Sequence, residues 1–260
     1  LDYVDEGFTK NYLDLLKSFA TFLVTYKGNL PQSRNFQLGT FVDVLKTQCT
    51  QALKIVNAQK RLNKVISIDP NVIFGYTNPE DKSRKFYISI GGYVKFEDSV
   101  LIEQSLTVNV ILEHTTDCAP VPEEWKWHKH PIDNGFHVLR RFHFDYDSTN
   151  DDNHSPKFHL QYGGKFNKDY LGIGDEDAYY NLFQPIDYPR LPQQPFDMIM
   201  LIDFVLREFS LKGNEITREK KWNELLVKSE QMWLKPYYEH LIGRLDVSSR
   251  LEPVHRILGG

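Results

Sequence analysis

Residues 135 to 147 read GFHVLRRFHFDYD, and taken alternately they separate into two lists. Phe136, Val138, Arg140, Phe142, Phe144 and Tyr146 make one; His137, Leu139, Arg141, His143, Asp145 and Asp147 make the other. Side chains of a strand alternate between its two faces, so one face is apolar and the other carries imidazoles, a guanidinium and carboxylates. A second run, PKFHLQYGG (156 to 164), sets Phe158, Leu160 and Tyr162 against Lys157, His159 and Gln161. These residue types allow two chemistries. In the first, His143 and His159 act as a general acid and base, with unperturbed pKa values near 6.5. Together they remove a ribose 2′-hydroxyl proton and protonate the leaving oxygen of a phosphodiester without a metal. Arg141 then neutralises the phosphate, and Asp145 fixes one imidazole tautomer. In the second, His143, Asp145 and His159 ligate a divalent metal whose bound water is the nucleophile. The favoured reading needs no cofactor. The same cross-strand His, Asp and Gln pairs also arise on solvated sheet faces that do no chemistry.

The elements that must position these residues follow from periodicity. Apolar positions at spacings of three and four predict helices over 6–26 (Phe8, Tyr12, Leu15, Phe19, Leu23) and 38–61 (Phe41, Leu45, Cys49, Ala52, Val56). Gly28, Asn29 and Pro31 break the chain between them, which predicts a helical hairpin over residues 1–63. Period two then takes over. KVISID (64–69) and NVIFGY (71–76) read as short strands interrupted by Pro70, and RKFYISIGG and SLTVNVILEH continue the pattern as half-covered antiparallel strands. The polar run DSTNDDNHS makes 135–147 and 156–164 a hairpin with a long loop. Matching apolar face to apolar face puts odd residues opposite odd ones, so His159 lies beside Asp145 and Gln161 beside His143.

FDMIMLIDFVLREF (196–209) is apolar nearly all round, as a buried helix is, with Pro195 and Asp197 as start signals. Further helices are expected over 217–244, with Pro236 marking a kink or break. Asp203 lies inside the apolar helix, where an unpaired carboxylate is costly. Its expected partner is Arg207 or Arg190, with a supporting role at the site as the alternative. Arg190 and Asp203 therefore join Gln161 and His137 as candidate binding residues. The order helices, strands, helices is that of an α+β protein, with residues 64–260 forming a sheet and its C-terminal helices in one compact unit with the N-terminal hairpin.

Composition narrows the partners. The chain has 260 residues, and its 17 phenylalanines and 14 tyrosines suit a sheet-containing core. A net charge of −4 excludes a global basic field, so RNA or a nucleotide would have to be held by a local patch. No apolar run is long enough for a membrane span and no signal peptide is visible. Cys49 and Cys118 form neither a C-x-x-C pair nor a disulfide framework, which fits a cytoplasmic protein. Seven of the nine histidines fall between 114 and 159. Within that stretch EWKWHKHP interleaves aromatic and basic residues, as single-strand nucleic-acid platforms do, or is a loop anchored by Trp125 or Trp127. DYDSTNDDN begins like a calcium loop, but Asn150 and Pro156 occupy its glycine and glutamate positions. Gly91–Gly92 and Gly163–Gly164 fit bulges or tight turns, and no phosphate loop or nucleophile elbow is present.

RRFHFDYD, FHLQYGG and YPRLPQQPFDMIMLIDFVLREF, spread over residues 136 to 210, resemble a bacterial family of uncharacterised cytosolic proteins found near toxin–antitoxin and phage-defence genes. The resemblance implies a prokaryotic host and a defence role, and it implies no catalytic residues. Two function classes follow. One is a toxin-like nuclease or phosphodiesterase built on His143, His159, Arg141 and Asp145. The other is a non-catalytic subunit or adaptor that binds a partner protein, supported by Trp125, Trp127, Trp222 and Trp233.

Overall fold

The computed structural model describes residues 4–25, 38–79, 82–114, 135–148, 157–163, 178–180, 190–209, 211 and 214–246. Helix α1 (Glu6–Thr25) starts where Asp5 Oδ1 accepts the Phe8 backbone N–H at 2.7 Å, and it buries Phe8, Tyr12, Leu16, Phe19 and Leu23 along one stripe. Helix α2 (Leu38–Asn57) buries Phe41, Leu45, Cys49 and Ala52. The sheet follows: β1 (Lys64–Tyr76), β2 (Lys85–Glu97), β3 (Val100–His114), β4 (Gly135–Asp147), β5 (Phe158–Tyr162), β6 (Ala178–Tyr180) and β7 (Arg190–Pro192). The order is β1-β2-β3-β4-β5-β7 with every neighbour antiparallel; β6 lies beside residues 136–138 of β4, parallel to it. The α+β order of helices, sheet and helices is as the periodicity predicts.

Two bulges change details. KVISID and NVIFGY are one strand, not two: β1 pairs Ile68 with Gly92 and Val72 with Ile90, and absorbs Pro70 in the irregularity between them. β1 is an edge strand, where a residue without an N–H is tolerated at a bulge. In β4, Val110 pairs with Arg140 but Ile111 pairs with Val138, which leaves Leu139 as the extra residue. The alternation that organises 140 to 147 therefore does not extend to 135–138. His137 pairs with Leu112, out of phase with the rows that hold Arg141 and His143.

One face of the sheet takes the helices. Ile66, Phe74, Ile88, Ile90, Leu106, Val108, Phe144 and Phe158 belong to a single apolar cluster with α1, α2, α3 (Met198–Glu208) and α4 (Lys220–Asp246). Asp197 caps α3, its Oδ1 accepting from the Ile199 and Met200 N–H groups at 3.0 and 2.9 Å. Phe196 stacks on Phe144 of β4, while Phe209, just past α3, meets Tyr76 of β1, so this helix crosses the sheet. Pro236, the expected kink or break, does not end the helix: α4 runs through it for 27 residues. Tertiary packing outweighs the backbone hydrogen bond that proline cannot donate. Trp222 meets Phe19, and Trp233 meets Phe8, Tyr12 and Phe158. Both tryptophans are core residues and present no surface to a partner.

Asp203 belongs to this helix layer. Arg207 Nε donates to its two oxygens at 2.8 and 3.0 Å, Trp222 Nε1 donates to Oδ1 at 2.6 Å, and Arg207 also reaches the Thr217 carbonyl at 2.9 Å. The carboxylate thus ties α3 to α4 on the side of the sheet away from the histidines. Asp203→Ala leaves a buried indole N–H unpaired and is expected to cost about 2 kcal/mol. Urea unfolding measures it; a variant as stable as the parent would show that the tie carries no stability.

Candidate functional site

The opposite face is the unexpected one. Half-covered strands predict it to be solvated, yet Ser89, Thr107, Asn109, Arg141, His159 and Gln161 are all buried. Polar groups removed from water without partners are destabilising, so a buried polar sheet face requires a reason.

Register defines its geometry. One row across the strands runs Gly91, Thr107, His143, Gln161, Arg190; the next runs Tyr93, Ser105, Asp145, His159, Pro192; a third runs Ser89, Asn109, Arg141. The pairing of Asp145 with His159 and of His143 with Gln161 is the one that face matching demands. Adjacent strands stand about 5 Å apart, so residues of neighbouring rows and columns are within side-chain reach.

Arg141 and His143 are joined directly: Arg141 Nε donates to His143 Nε2 at 2.5 Å. Because the guanidinium can only donate, that ring nitrogen must be unprotonated. The proton of the neutral ring is therefore on Nδ1. Burial and the Arg141 charge push the His143 pKa down to about 3, with the Gly163 bond opposing them and His159 adding to the depression. His143 is a neutral acceptor that orients the Arg141 guanidinium.

The other imidazole is set differently. His159 Nε2 lies 3.6 Å from Asp145 Oδ2. Burial pushes the Asp145 carboxyl up to about 6, while a hydrogen bond with Ser105 and the guanidinium groups of Arg190 and Arg141 pull it back. A carboxylate beside an imidazole, with two arginines acting on the same point, can move a proton next to an anion.

The structure thus brings together Arg141, His143, Asp145, His159, Gln161 and Arg190. It does not bring in Asp203, and it sets His137 in a different register phase. The set His143, Asp145 and His159 is not assembled for a metal: among the described residues no group of three or more His, Cys, Asp or Glu side chains is placed to hold one. All of EWKWHKHP, most of the calcium-like loop and His154 lie outside the described residues, and with them His128, His130, Trp125 and Trp127. Comparison of the chain with protein-family models, with curated proteins and with solved structures gives no match. No described helix is long and apolar enough to cross a membrane.

Several participants were not singled out by sequence reasoning. Ser105 stands beside Asp145 in its row, and Asn71, Ser89, Thr107 and Asn109 line the same buried face. The signal was the parity of SLTVNVILEH, which puts Ser105, Thr107 and Asn109 on one side of β3. Parity gives the face but not its burial.

Three titrations, two on this face and one at the start of α3, couple pH to stability. Asp145 and the fully buried Asp197 both stand at about 6 in the fold, above the unfolded value of about 4. Over that window the folded chain holds protons the unfolded chain lacks, so acidification through pH 6 favours the fold. His143 does the reverse: the unfolded ring protonates below about 6.5 while the folded ring stays neutral. From pH 7 to pH 5 each aspartate adds about 1 kcal/mol and the histidine removes about 2, so the unfolding free energy should be nearly level. Asp197→Asn keeps a good N-cap and deletes one compensating term, so it should lose about 1 kcal/mol over the same interval. Urea titrations at the two pH values test this, and a variant profile parallel to the parent's would refute it.

Proposed function

We propose that this protein is a prokaryotic defence or toxin-like phosphodiesterase that takes RNA or a nucleotide by its phosphate on the buried polar sheet face. The observation that carries the reading is the join of Arg141 to a neutral His143 beside the Asp145–His159 pair. A guanidinium held in a fixed orientation presents donors in a fork that suits a phosphate. Arg190, at the end of the same row as His143, adds a second positive charge, and Gln161 between them supplies an amide.

Proton transfer falls to the Asp145–His159 pair rather than to two imidazoles. His159 takes the 2′-hydroxyl proton as the 2′-oxygen attacks phosphorus. The 5′-oxygen leaves, and the proton returns to it from the same pair, giving a 2′,3′-cyclic phosphate and a 5′-hydroxyl end. The resemblance of residues 136 to 210 supplies the prokaryotic setting.

Conservative amides separate the roles. A glutamine amide oxygen can still accept from Arg141, so His143→Gln should keep RNA cleavage within about tenfold of the parent. His159→Gln should abolish cleavage and leave RNA binding in place, because an amide cannot take up the proton. Equal loss in both variants would favour the two-imidazole mechanism. An absence of both binding and cleavage for short RNAs and nucleotides would overturn the reading.

A further inference from the structure

Beside the charged groups, the same face has a neutral half. Asn71, Ser89, Thr107 and Asn109 come from β1, β2 and β3, and each is more than nine-tenths buried. Asn71 Nδ2, Ser89 Oγ, Thr107 Oγ1 and both amide atoms of Asn109 have no hydrogen-bond partner. Native folds leave a few such atoms unpaired per hundred residues, and here five of them lie together on three adjacent strands. Gly91 sits among them, paired with Thr107, and a Cβ there would stand 2.7 Å from Asn71 Oδ1. The missing side chain leaves room for the Asn71 amide over β2. Apolar groups border the cluster: Ile73 pairs with Ser89, and Ile111 lies two residues from Asn109 on the same face of β3. Both are buried outside the helix-side core. Aliphatic walls with a few convergent hydrogen-bonding groups are the composition of a site for a flat polar ring.

We infer that this neutral half is a nucleobase subsite, with Asn109 as the residue that reads the base edge. The inference rests on the phosphate reading above and adds the recognition that reading lacks. Asn109 pairs across the strands with Arg141, so a ring on the asparagine and a phosphate on the arginine belong to one ligand. A primary amide offers a donor and an acceptor side by side, the complement of the adjacent acceptor and donor on a base edge. The serine and threonine hydroxyls can each turn to donate or accept, and so complete the pattern.

The test compares the four nucleoside monophosphates with ribose 5-phosphate by calorimetry. At least one nucleotide should bind the parent about tenfold or more tighter than ribose 5-phosphate. Asn109→Leu should erase that advantage while ribose 5-phosphate affinity stays the same. The same variant should raise the melting temperature of the ligand-free protein, because an apolar group of similar size replaces two unpaired polar atoms. If the leucine does not fold, Thr107→Val asks the same question with the same expectation. Equal affinity for ribose 5-phosphate and all four nucleotides would overturn the base subsite and leave the phosphate reading standing. Failure of every ligand to bind would remove both. A crystal of the nucleotide complex with only ordered water on Asn109 would also overturn it.

Discussion

Replacing Arg141 with methionine is expected to weaken nucleotide or RNA binding by about 100-fold or more, because a charge-assisted contact to phosphate is lost with no substitute in its row. Methionine approximates the length of the arginine stem, so packing changes less than charge. The variant has a second readout that a merely structural role would not move. In the parent, Arg141 Nε fills the His143 Nε2 lone pair and its charge helps hold the ring neutral. Proton–nitrogen spectra at pH 5 should show His143 as a neutral ring carrying its proton on Nδ1. In Arg141→Met the same ring should begin to titrate at higher pH, since a positive neighbour and an Nε2 hydrogen bond are both gone. A parent His143 that protonates near its ordinary value would show that the Arg141–His143 contact does not exist. Unaltered ligand affinity in the variant would place the anion elsewhere.

Gly92→Ala is expected to destabilise the protein by about 4 kcal/mol or more, enough to prevent folding of a marginally stable domain. Two independent costs meet there. Gly92 has φ of +126°, a region that side chains with a Cβ rarely adopt, and an added Cβ would lie 2.1 Å from the Ser105 carbonyl oxygen. Neither the backbone of β3 nor the glycine can yield without breaking the ladder, because Gly92 pairs with Leu106 on one side and with Ile68 at the β1 bulge on the other. Gly91→Ala, one residue away, meets only the end of the Asn71 side chain and should cost much less. Denaturant midpoints of the two variants measure the contrast, and equal stabilities would refute it.

How much of this could be read beforehand depends on the range of the forces involved. Helix and strand positions, the start of α3 at Asp197 and the register of β4 against β5 follow from periodicity and face matching, which are local or nearest-neighbour constraints. Pro236 does not end α4 although its local penalty is real; the packing of Trp233 and Tyr237 in the core offsets it. The parity of GFHVLRRFHFDYD holds for Arg141, His143 and Asp145 and fails at Leu139, because a bulge is settled by pairing with β3 and not by the residues themselves.

The amino-acid sequence by itself determined which residues share a face: Arg141, His143 and Asp145 on β4, His159 and Gln161 on β5, Ser105, Thr107 and Asn109 on β3. Strand alternation is a property of the backbone and needs no knowledge of what lies above the sheet. Tertiary structure decided that this face is buried, that Arg141 takes the lone pair of His143, and that Asp203 serves the helices instead of the site. Those outcomes depend on contacts between distant segments, where the balance of desolvation, charge and hydrogen bonding exists only once the chain has closed on itself.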